Sequence, residues 1–158
     1  RRGMSKKIFK LLFLDVGLSS YYLKFDYKSV EEIYKNQTSD VALLHKGIIS
    51  EQFVGQQLTA IDPYEPAELF YWLREGRANN AEVDYVVQEK LSIIPIEVKF
   101  GKTESIKSLL QFVETKNSKL AIKFTTQPPR LVRQGAGEKS FDLLAIPIYL
   151  AERIFDLF

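Results

Sequence analysis

Short apolar segments that alternate with polar residues, or that end at turn residues, occur along most of the chain and predict β-strands. Three of them follow one another in the middle, and the polar link at residues 88–90 predicts a hairpin between the second and the third. Residues 127–139, with two prolines and two glycines, are predicted to form an exposed loop. The strands are expected at residues 10–15, 69–74, 81–88, 91–100, 119–125 and 141–146.

Apolar residues recur at helical spacing in the segments around these strands. Asp40 is expected to cap a long helix from residue 41 to about residue 60, because its carboxylate can accept hydrogen bonds from the first free amides. Shorter helices are expected at residues 17–22, 28–34 and 147–155. These elements predict an α/β fold. A further helix after residue 104 has an apolar stripe formed by Ile106, Leu109, Leu110 and Val113.

The composition fits one domain and excludes several kinds of chemistry. The chain has 158 residues, of which 46% are hydrophobic, enough for a single core. Because it has no cysteine and one histidine, it cannot form zinc fingers, thiol nucleophiles, disulfide frameworks or sites with two imidazoles. No segment reaches the roughly 18 consecutive apolar residues of a membrane span, so a cytoplasmic location without membrane contact is expected. Any catalysis must use carboxylates, lysines, arginines or hydroxyls.

Charge is distributed unevenly along the chain. Residues 1–10 carry five positive charges and no negative ones, whereas residues 11–98 carry seven positive and fourteen negative charges. Residues 99–139 carry nine positive and three negative charges, which could place a phosphate-binding surface beside an acidic one; chance clustering of surface lysines is an equal alternative. Residues 1–9 are expected to be a basic linker or tag remnant, and residues 10–158 a single domain.

Glu51 lies in the apolar stripe of the predicted long helix. At about 100° per residue, Leu44, Ile48, Gly55 and Leu58 fall on the same face as Glu51. Burying an ionised carboxylate without a partner costs several kcal/mol. Glu51 is therefore expected to have a cation, a hydrogen-bond cluster or a metal beside it, with a purely structural salt bridge or a position at the rim as the alternative.

Glu97 and Lys99 share one face of a predicted strand. The preceding residues 93–96 are apolar on both faces, which predicts a covered, central strand with its terminal charges lining a cleft. Proline normally marks an edge or a bulge, so Pro95 is interpreted as a bulge that re-aims Glu97. The alternative is that Glu97 and Lys99 form a solvated pair on the surface.

Glu82 and Asp84 share a face of the preceding strand, opposite Tyr85. Asp84 lies deeper in the strand than Glu82, which makes it the better candidate for a metal ligand. Together with Glu97 on the next strand, Asp84 could hold a divalent cation against a phosphodiester.

The pattern of Glu51 on a helix, Asp84 on a strand, and Glu97 and Lys99 on its hairpin partner resembles the PD-(D/E)XK, or restriction-endonuclease-like, superfamily. Within it, the chain is similar to the uncharacterised domain at the C-terminus of many prokaryotic AAA-type ATPases. Val83 stands where the superfamily name implies a proline. The likeness is carried by residues 10–18, 47–54, 71–74, 81–87 and 94–99.

This resemblance implies a central mixed sheet of about four to five strands flanked by helices, in an α-β-β-β-α-β core. It also implies that Asp84, Glu97 and Glu51 bind Mg²⁺ or Mn²⁺, since hard cations prefer oxygen ligands. Lys99 would orient the attacking water or stabilise the transition state, and a bound metal would activate that water. These four residues would form the catalytic site.

The function implied by the resemblance is metal-dependent hydrolysis of nucleic-acid phosphodiesters by the C-terminal module of a longer AAA-type ATPase, with the ATPase domain as a partner. Lys102, Arg74 and Arg77 would contact the nucleic-acid backbone. The alternative is a non-catalytic interaction or regulatory module of that ATPase. Residues 135–140 superficially resemble a phosphate-binding loop, but Glu138 breaks the required Gly-Lys pair, so no nucleotide site is predicted.

Overall fold

A six-stranded mixed sheet with helices on both faces forms the centre of the protein. The computed structural model describes residues 9–25, 40–62, 64–65, 68–74, 80–100 and 105–157. The strands are β1 (Phe70–Arg74), β2 (Ala81–Glu89), β3 (Ser92–Val98), β4 (Leu120–Thr125), β5 (Arg130–Ala136) and β6 (Lys139–Pro147). The helices are α1 (Val16–Tyr22), α2 (Asp40–Ala60), α3 (Lys107–Lys116) and a closing 3₁₀ helix (Ile148–Leu157).

The strand order in the sheet is β1-β2-β3-β4-β6-β5. Strands β1, β2 and β3 pair antiparallel, and β3, β4 and β6 pair parallel to one another. Helix α3 lies between β3 and β4 in the chain, as a parallel connection requires. Strands β3 and β4 therefore end at the same edge of the sheet, where Glu97 and Lys99 lie.

The core has two layers, one on each face of the sheet. On one face, Val54 and Leu58 of α2 and Ile154 of the closing helix pack against the sheet. On the other face, Leu109 and Phe112 of α3 pack against it. The α/β architecture, the helices around residues 17–22, 41–60 and 147–155, and the helix after residue 104 are confirmed; the predicted helix at 28–34 lies outside the described residues.

The predicted loop at residues 127–139 was wrong, because Arg130–Ala136 forms the edge strand β5. This strand pairs antiparallel with β6 only, and most of its side chains are exposed, so backbone hydrogen bonds rather than burial define it. A two-residue turn, Gly137-Glu138, connects the two strands, and Gly137 adopts a φ of 59° there. A Gly-X pair is typical of such hairpins, and it was the available signal.

The predicted strand at residues 10–15 was also wrong, because this segment lies along α2 without joining the sheet. The Gln52 side chain accepts a hydrogen bond from the Phe13 N–H at 2.9 Å and donates one to the Leu11 carbonyl at 2.8 Å. Gln56 donates another to the Phe13 carbonyl at 3.1 Å. Glutamine side chains thus form the hydrogen bonds with this backbone that a neighbouring strand would otherwise form. We name residues 9–15 the N-terminal segment.

Helix α2 approaches β2 closely at Gly55. A Cβ atom at this position would lie 2.6 Å from Leu12 Cδ1 and 2.9 Å from Tyr85 Cζ, so no larger residue fits without movement. One turn earlier in α2, the Glu51 carbonyl accepts a hydrogen bond from the Tyr85 hydroxyl at 2.9 Å. These contacts fix the helical turn that carries Glu51 over β2.

Among the described helices, none is long and apolar enough to cross a membrane.

Candidate acidic site at the end of the central strands

Strand β2 contains a bulge at Asp84 and Tyr85. The partners of Phe70 and Trp72 in β2 lie three positions apart instead of two, so two residues of β2 oppose one residue of β1. Tyr85 packs in the core on the α2 side of the sheet, and Asp84 contacts Lys10, whose ammonium lies over the Tyr85 ring. The expectation that Asp84 and Tyr85 lie on opposite faces was wrong, because the bulge interrupts the alternation.

The bulge predicted at Pro95 was wrong. Pairing between β2 and β3 runs without interruption through this residue, from the pair of Tyr85 and Ile96 to the hairpin turn. Pairing between β3 and β4 begins only at Ile96, so Pro95 precedes the part of β3 that has neighbours on both sides. The bulge that aims a carboxylate is in β2, at Asp84, and not in β3.

Asp84 bridges β2 and β3 where the two strands separate. Backbone pairing between them ends at Tyr85 and Ile96. Beyond this point the Val98 N–H donates a hydrogen bond at 2.7 Å to Oδ2 of Asp84 instead of to a strand carbonyl. The Asp84 side chain is 14% exposed. This hydrogen bond holds the carboxylate in the opening between the strands and directs it toward the end of β3.

Lys10 places its ammonium among three carboxylates. Its Nζ atom lies 2.5 Å from Oε1 of Glu51, 3.5 Å from Oδ1 of Asp84 and 3.4 Å from Oε1 of Glu82. It also donates a hydrogen bond at 3.0 Å to the Asp84 carbonyl and lies 5.2 Å from the centre of the Tyr85 ring. The expected cationic partner of Glu51 is therefore Lys10, on the N-terminal segment.

Burial and neighbouring charges shift the pKa values of this group. Burial raises the pKa of Glu51, and the charge of Asp84 raises it further, while Lys10 acts in the opposite direction. For Lys10, burial lowers the pKa, but the hydrogen bond to Glu51 and the charge of Asp84 outweigh burial and raise it above its ordinary value. Lys10 therefore stays positively charged at neutral pH.

Glu97 is buried at the end of β3, being only 4% exposed. Its Oε1 atom forms an ion pair with Lys99, whereas Oε2 is buried and has no hydrogen-bond partner among the described residues. Burial raises the pKa of Glu97 to about 7, with a further contribution from the charge of Asp84 and an opposing one from Lys99. The solvated-pair alternative for Glu97 and Lys99 was wrong, because the carboxylate is inside the protein.

Lys99 continues the line of β3 beyond its last paired residue. Its backbone N–H donates to the Phe124 carbonyl at 2.9 Å, which fixes it beside the end of β4. Burial lowers the pKa of Lys99, but the hydrogen bond to Glu97 and the charges of Glu97 and Asp84 raise it overall. The Lys99 side chain is 34% exposed, so its ammonium is accessible to solvent while it pairs with the buried Glu97.

The four predicted catalytic residues are close enough for their charges to influence one another. They are Glu51, Asp84, Glu97 and Lys99. The charge of Asp84 raises the pKa of both Glu51 and Glu97, and both Asp84 and Glu51 act on Lys99. Glu82 lies at the rim, with 56% of its side chain exposed. We call Glu51, Glu82, Asp84 and Glu97 the acidic cluster.

Of the three residues predicted to contact nucleic acid, the structure describes Arg74. Arg74 is exposed at the end of β1, where it pairs with Ala81. Arg77 and Lys102 lie outside the described residues. These three assignments stay predictions.

Residues 46–150 match a family described as a domain of unknown function, DUF4143, and the match covers more than half of the chain. The chain belongs to this family. The predicted likeness to an uncharacterised domain is thereby confirmed, while the PD-(D/E)XK assignment stays a prediction. No curated protein matches the chain. The matched residues of this DUF4143 domain include Glu51, Asp84, Glu97 and Lys99, whereas Lys10 precedes them.

The binding of a divalent cation by two carboxylates of the DUF4143 domain stays a prediction. In the part of the chain that the structure describes, no three Asp, Glu or His side chains are arranged to hold a metal ion. Mg²⁺, however, usually keeps several waters and binds proteins through only one or two carboxylates. The candidates for these two carboxylates are Asp84 and Glu97, whose Oε2 has no hydrogen-bond partner among the described residues. Glu51 is engaged by Lys10, and its role as a metal ligand stays a prediction.

Two lysines, Lys10 and Lys123, were missed by sequence reasoning. Lys10 lies 41 positions before its partner Glu51, and the apolar residues around it are typical of a strand. Lys123 lies directly opposite Glu97 in the β3–β4 pair and is only 8% exposed. A lone lysine within an otherwise buried strand was the available signal for Lys123, because such a position normally belongs to an apolar residue.

Proposed function

We propose that this domain is a metal-dependent phosphodiesterase of the nuclease type, with Asp84 and Glu97 as metal ligands in a PD-(D/E)XK-like site. The supporting observation is the Glu97 carboxylate, which is 4% exposed and has one oxygen without a partner among the described residues. A buried, unsatisfied carboxylate oxygen costs free energy, and a bound cation would remove this cost. An apolar residue would fill a purely structural position at lower cost.

The residues around this carboxylate have separate roles in the proposal. A divalent cation would supply a bound water of lowered pKa and neutralise charge on the phosphate. Asp84, fixed by the Val98 N–H, would keep its carboxylate oriented toward the end of β3. Lys99, partly exposed beside Glu97, would donate to a phosphate oxygen and stabilise the additional negative charge of the transition state.

Nucleic acid is the proposed substrate because the second half of the chain is basic. Residues 99–139 carry nine positive and three negative charges, a balance that favours binding of a polyanion. The proposed partner within a longer parent chain is an AAA-type ATPase domain, as the resemblance implies.

Cleavage of labelled DNA and RNA, single- and double-stranded, tests the proposal. The wild-type domain, alone and with the ATPase domain of its parent chain, should cleave at least one substrate with Mg²⁺ or Mn²⁺ and none with EDTA. Asp84→Asn should be slower by about 10²–10³-fold, because it keeps an oxygen for the Val98 N–H but loses the charge. Equal rates in the wild type and Asp84→Asn, or no cleavage under any condition, would refute the proposal.

One observation favours a second candidate, a non-catalytic interaction or regulatory module. Lys10 already neutralises Glu51 and Asp84 from within the chain, so part of the acidic cluster can serve as a structural ion-pair network. In that case neither the wild type nor Asp84→Asn would cleave any substrate. Mn²⁺ would also leave the thermal stability of the domain unchanged.

A further inference from the structure

We propose that Lys10 is an internal cation that closes the acidic cluster, so that a divalent metal binds fully only after the Lys10 ammonium has left Asp84. This inference rests on the proposed function, since it concerns the same site. It adds a regulatory residue, Lys10, that lies outside residues 46–150, the part of the chain that the family model matches.

The first argument is occupancy of the Asp84 carboxylate. Oδ2 of Asp84 accepts the Val98 N–H, and Oδ1 lies 3.5 Å from the Lys10 ammonium, so both oxygens already face a donor. A metal at Asp84 would place a divalent charge beside this ammonium. The two cations would repel each other in a partly buried site, where solvent screens them weakly. The same carboxylate therefore cannot serve both cations well.

The second argument is the balance of charge. Lys10 supplies one positive charge to the three carboxylates of Glu51, Glu82 and Asp84. Exchange of the monovalent ammonium for a divalent cation brings the cluster closer to neutrality. Electrostatics therefore favour this exchange when metal is abundant.

The third argument is the way Lys10 is attached to the fold. It belongs to the N-terminal segment, which is held on α2 by hydrogen bonds from the Gln52 and Gln56 side chains and not by strand pairing. Phe9 is 81% exposed and Leu14 is 93% exposed, so Leu12 and Phe13, both half-buried, are the main apolar side chains that hold the segment. Segments with few buried contacts open at low free-energy cost. Lys10 can therefore withdraw while the sheet and Asp84 stay in place.

Calorimetric titration with Mn²⁺ tests this role without relying on catalysis. Lys10→Met should bind Mn²⁺ about tenfold or more tightly than the wild type, because every molecule is then competent to bind. Lys10→Arg keeps a cation and should retain wild-type affinity. Lys119→Met removes an exposed positive charge at the opposite end of β4 and should also match the wild type. Added Mn²⁺ should raise the melting temperature of Lys10→Met more than that of the wild type.

A second variant keeps the test decisive if Lys10→Met does not fold. Gln56→Ala removes one hydrogen bond from the N-terminal segment while Lys10 stays intact, and it should tighten Mn²⁺ binding by loosening that segment. Equal Mn²⁺ affinity in the wild type, Lys10→Met and Gln56→Ala would overturn the inference and leave the proposed metal site standing. Absence of Mn²⁺ binding in all of them would overturn both.

Discussion

Replacement of Lys99 by methionine is expected to reduce metal-dependent cleavage by about 10²–10³-fold, the usual effect of removing one group that stabilises transition-state charge. Methionine is unbranched and similar in length, so it can fill the space of the lysine stem beside Glu97. The backbone of Lys99 keeps its hydrogen bond to the Phe124 carbonyl, which does not depend on the side chain. The variant should therefore fold and lose only the ammonium.

Single-turnover cleavage rates at saturating Mg²⁺ or Mn²⁺ measure this effect, with Lys119→Met as the matched control. Lys119 is exposed at the start of β4, whereas Lys99 lies beside the end of that strand. Both variants lose one positive charge, so non-specific attraction to nucleic acid falls equally. A Lys99→Met chain that cleaves as fast as the Lys119→Met chain would remove Lys99 from the proposed chemistry.

The second large effect is on stability as a function of pH, and it comes from Glu97. The pKa of its carboxyl is about 7 in the folded protein and 4.5 in the ordinary reference state. Protonated Glu97 therefore stabilises the fold fully below pH 4.5, and this contribution is lost as the pH rises through 7. Between pH 5 and pH 8, Glu97 should lower the free energy of unfolding by on the order of 2–3 kcal/mol.

Glu97→Gln should abolish this dependence, because glutamine has nearly the same shape and does not ionise. Urea unfolding at pH 5 and pH 8 measures the free energy of unfolding of the variant minus that of the wild type. This difference should be larger at pH 8 than at pH 5 by on the order of 2–3 kcal/mol. Glu114→Gln, at an exposed position of α3, should follow the wild-type profile. Parallel profiles for Glu97→Gln and the wild type would show that Glu97 is not the buried carboxylate of raised pKa described above.

Together these two variants distinguish a functional site from a structural one. Glu97→Gln should be more stable than the wild type at pH 8 and yet unable to cleave. Such opposite effects are expected where a site keeps a charge that the fold alone would not favour. A structural ion pair would instead lose stability when Glu97 is neutralised.

The central strands and the residues they carry could be predicted because local rules act consistently there. Turn residues and apolar runs define β2 and β3, and the helical-face argument predicted a cation, a hydrogen-bond cluster or a metal beside Glu51, of which the structure shows a cation, Lys10. Apart from Asp84 in β2 and Pro95 in β3, the tertiary structure of these segments agrees with the local preference of the chain. Asp84, Glu97 and Lys99 consequently lie where β2 and β3 separate.

Features that depend on pairing between distant segments could not be predicted. The bulge at Asp84 results from the register of β2 against β1, which no pattern within β2 specifies. Pro95 suggested a bulge by a local rule, but regular pairing with β2 overrides it. Lys10 was misassigned for a similar reason, since the apolar segment around it binds glutamines of α2 instead of a strand.

The most direct test of the central claim is an anomalous-scattering map of a crystal of this domain soaked in Mn²⁺ at pH 8, where Glu97 is ionised. We expect a Mn²⁺ peak in contact with the carboxylates of Asp84 and Glu97, and a Lys10 ammonium that has moved away from Asp84. No peak at the acidic cluster, with Lys10 still bound between Glu51 and Asp84, would contradict the proposal.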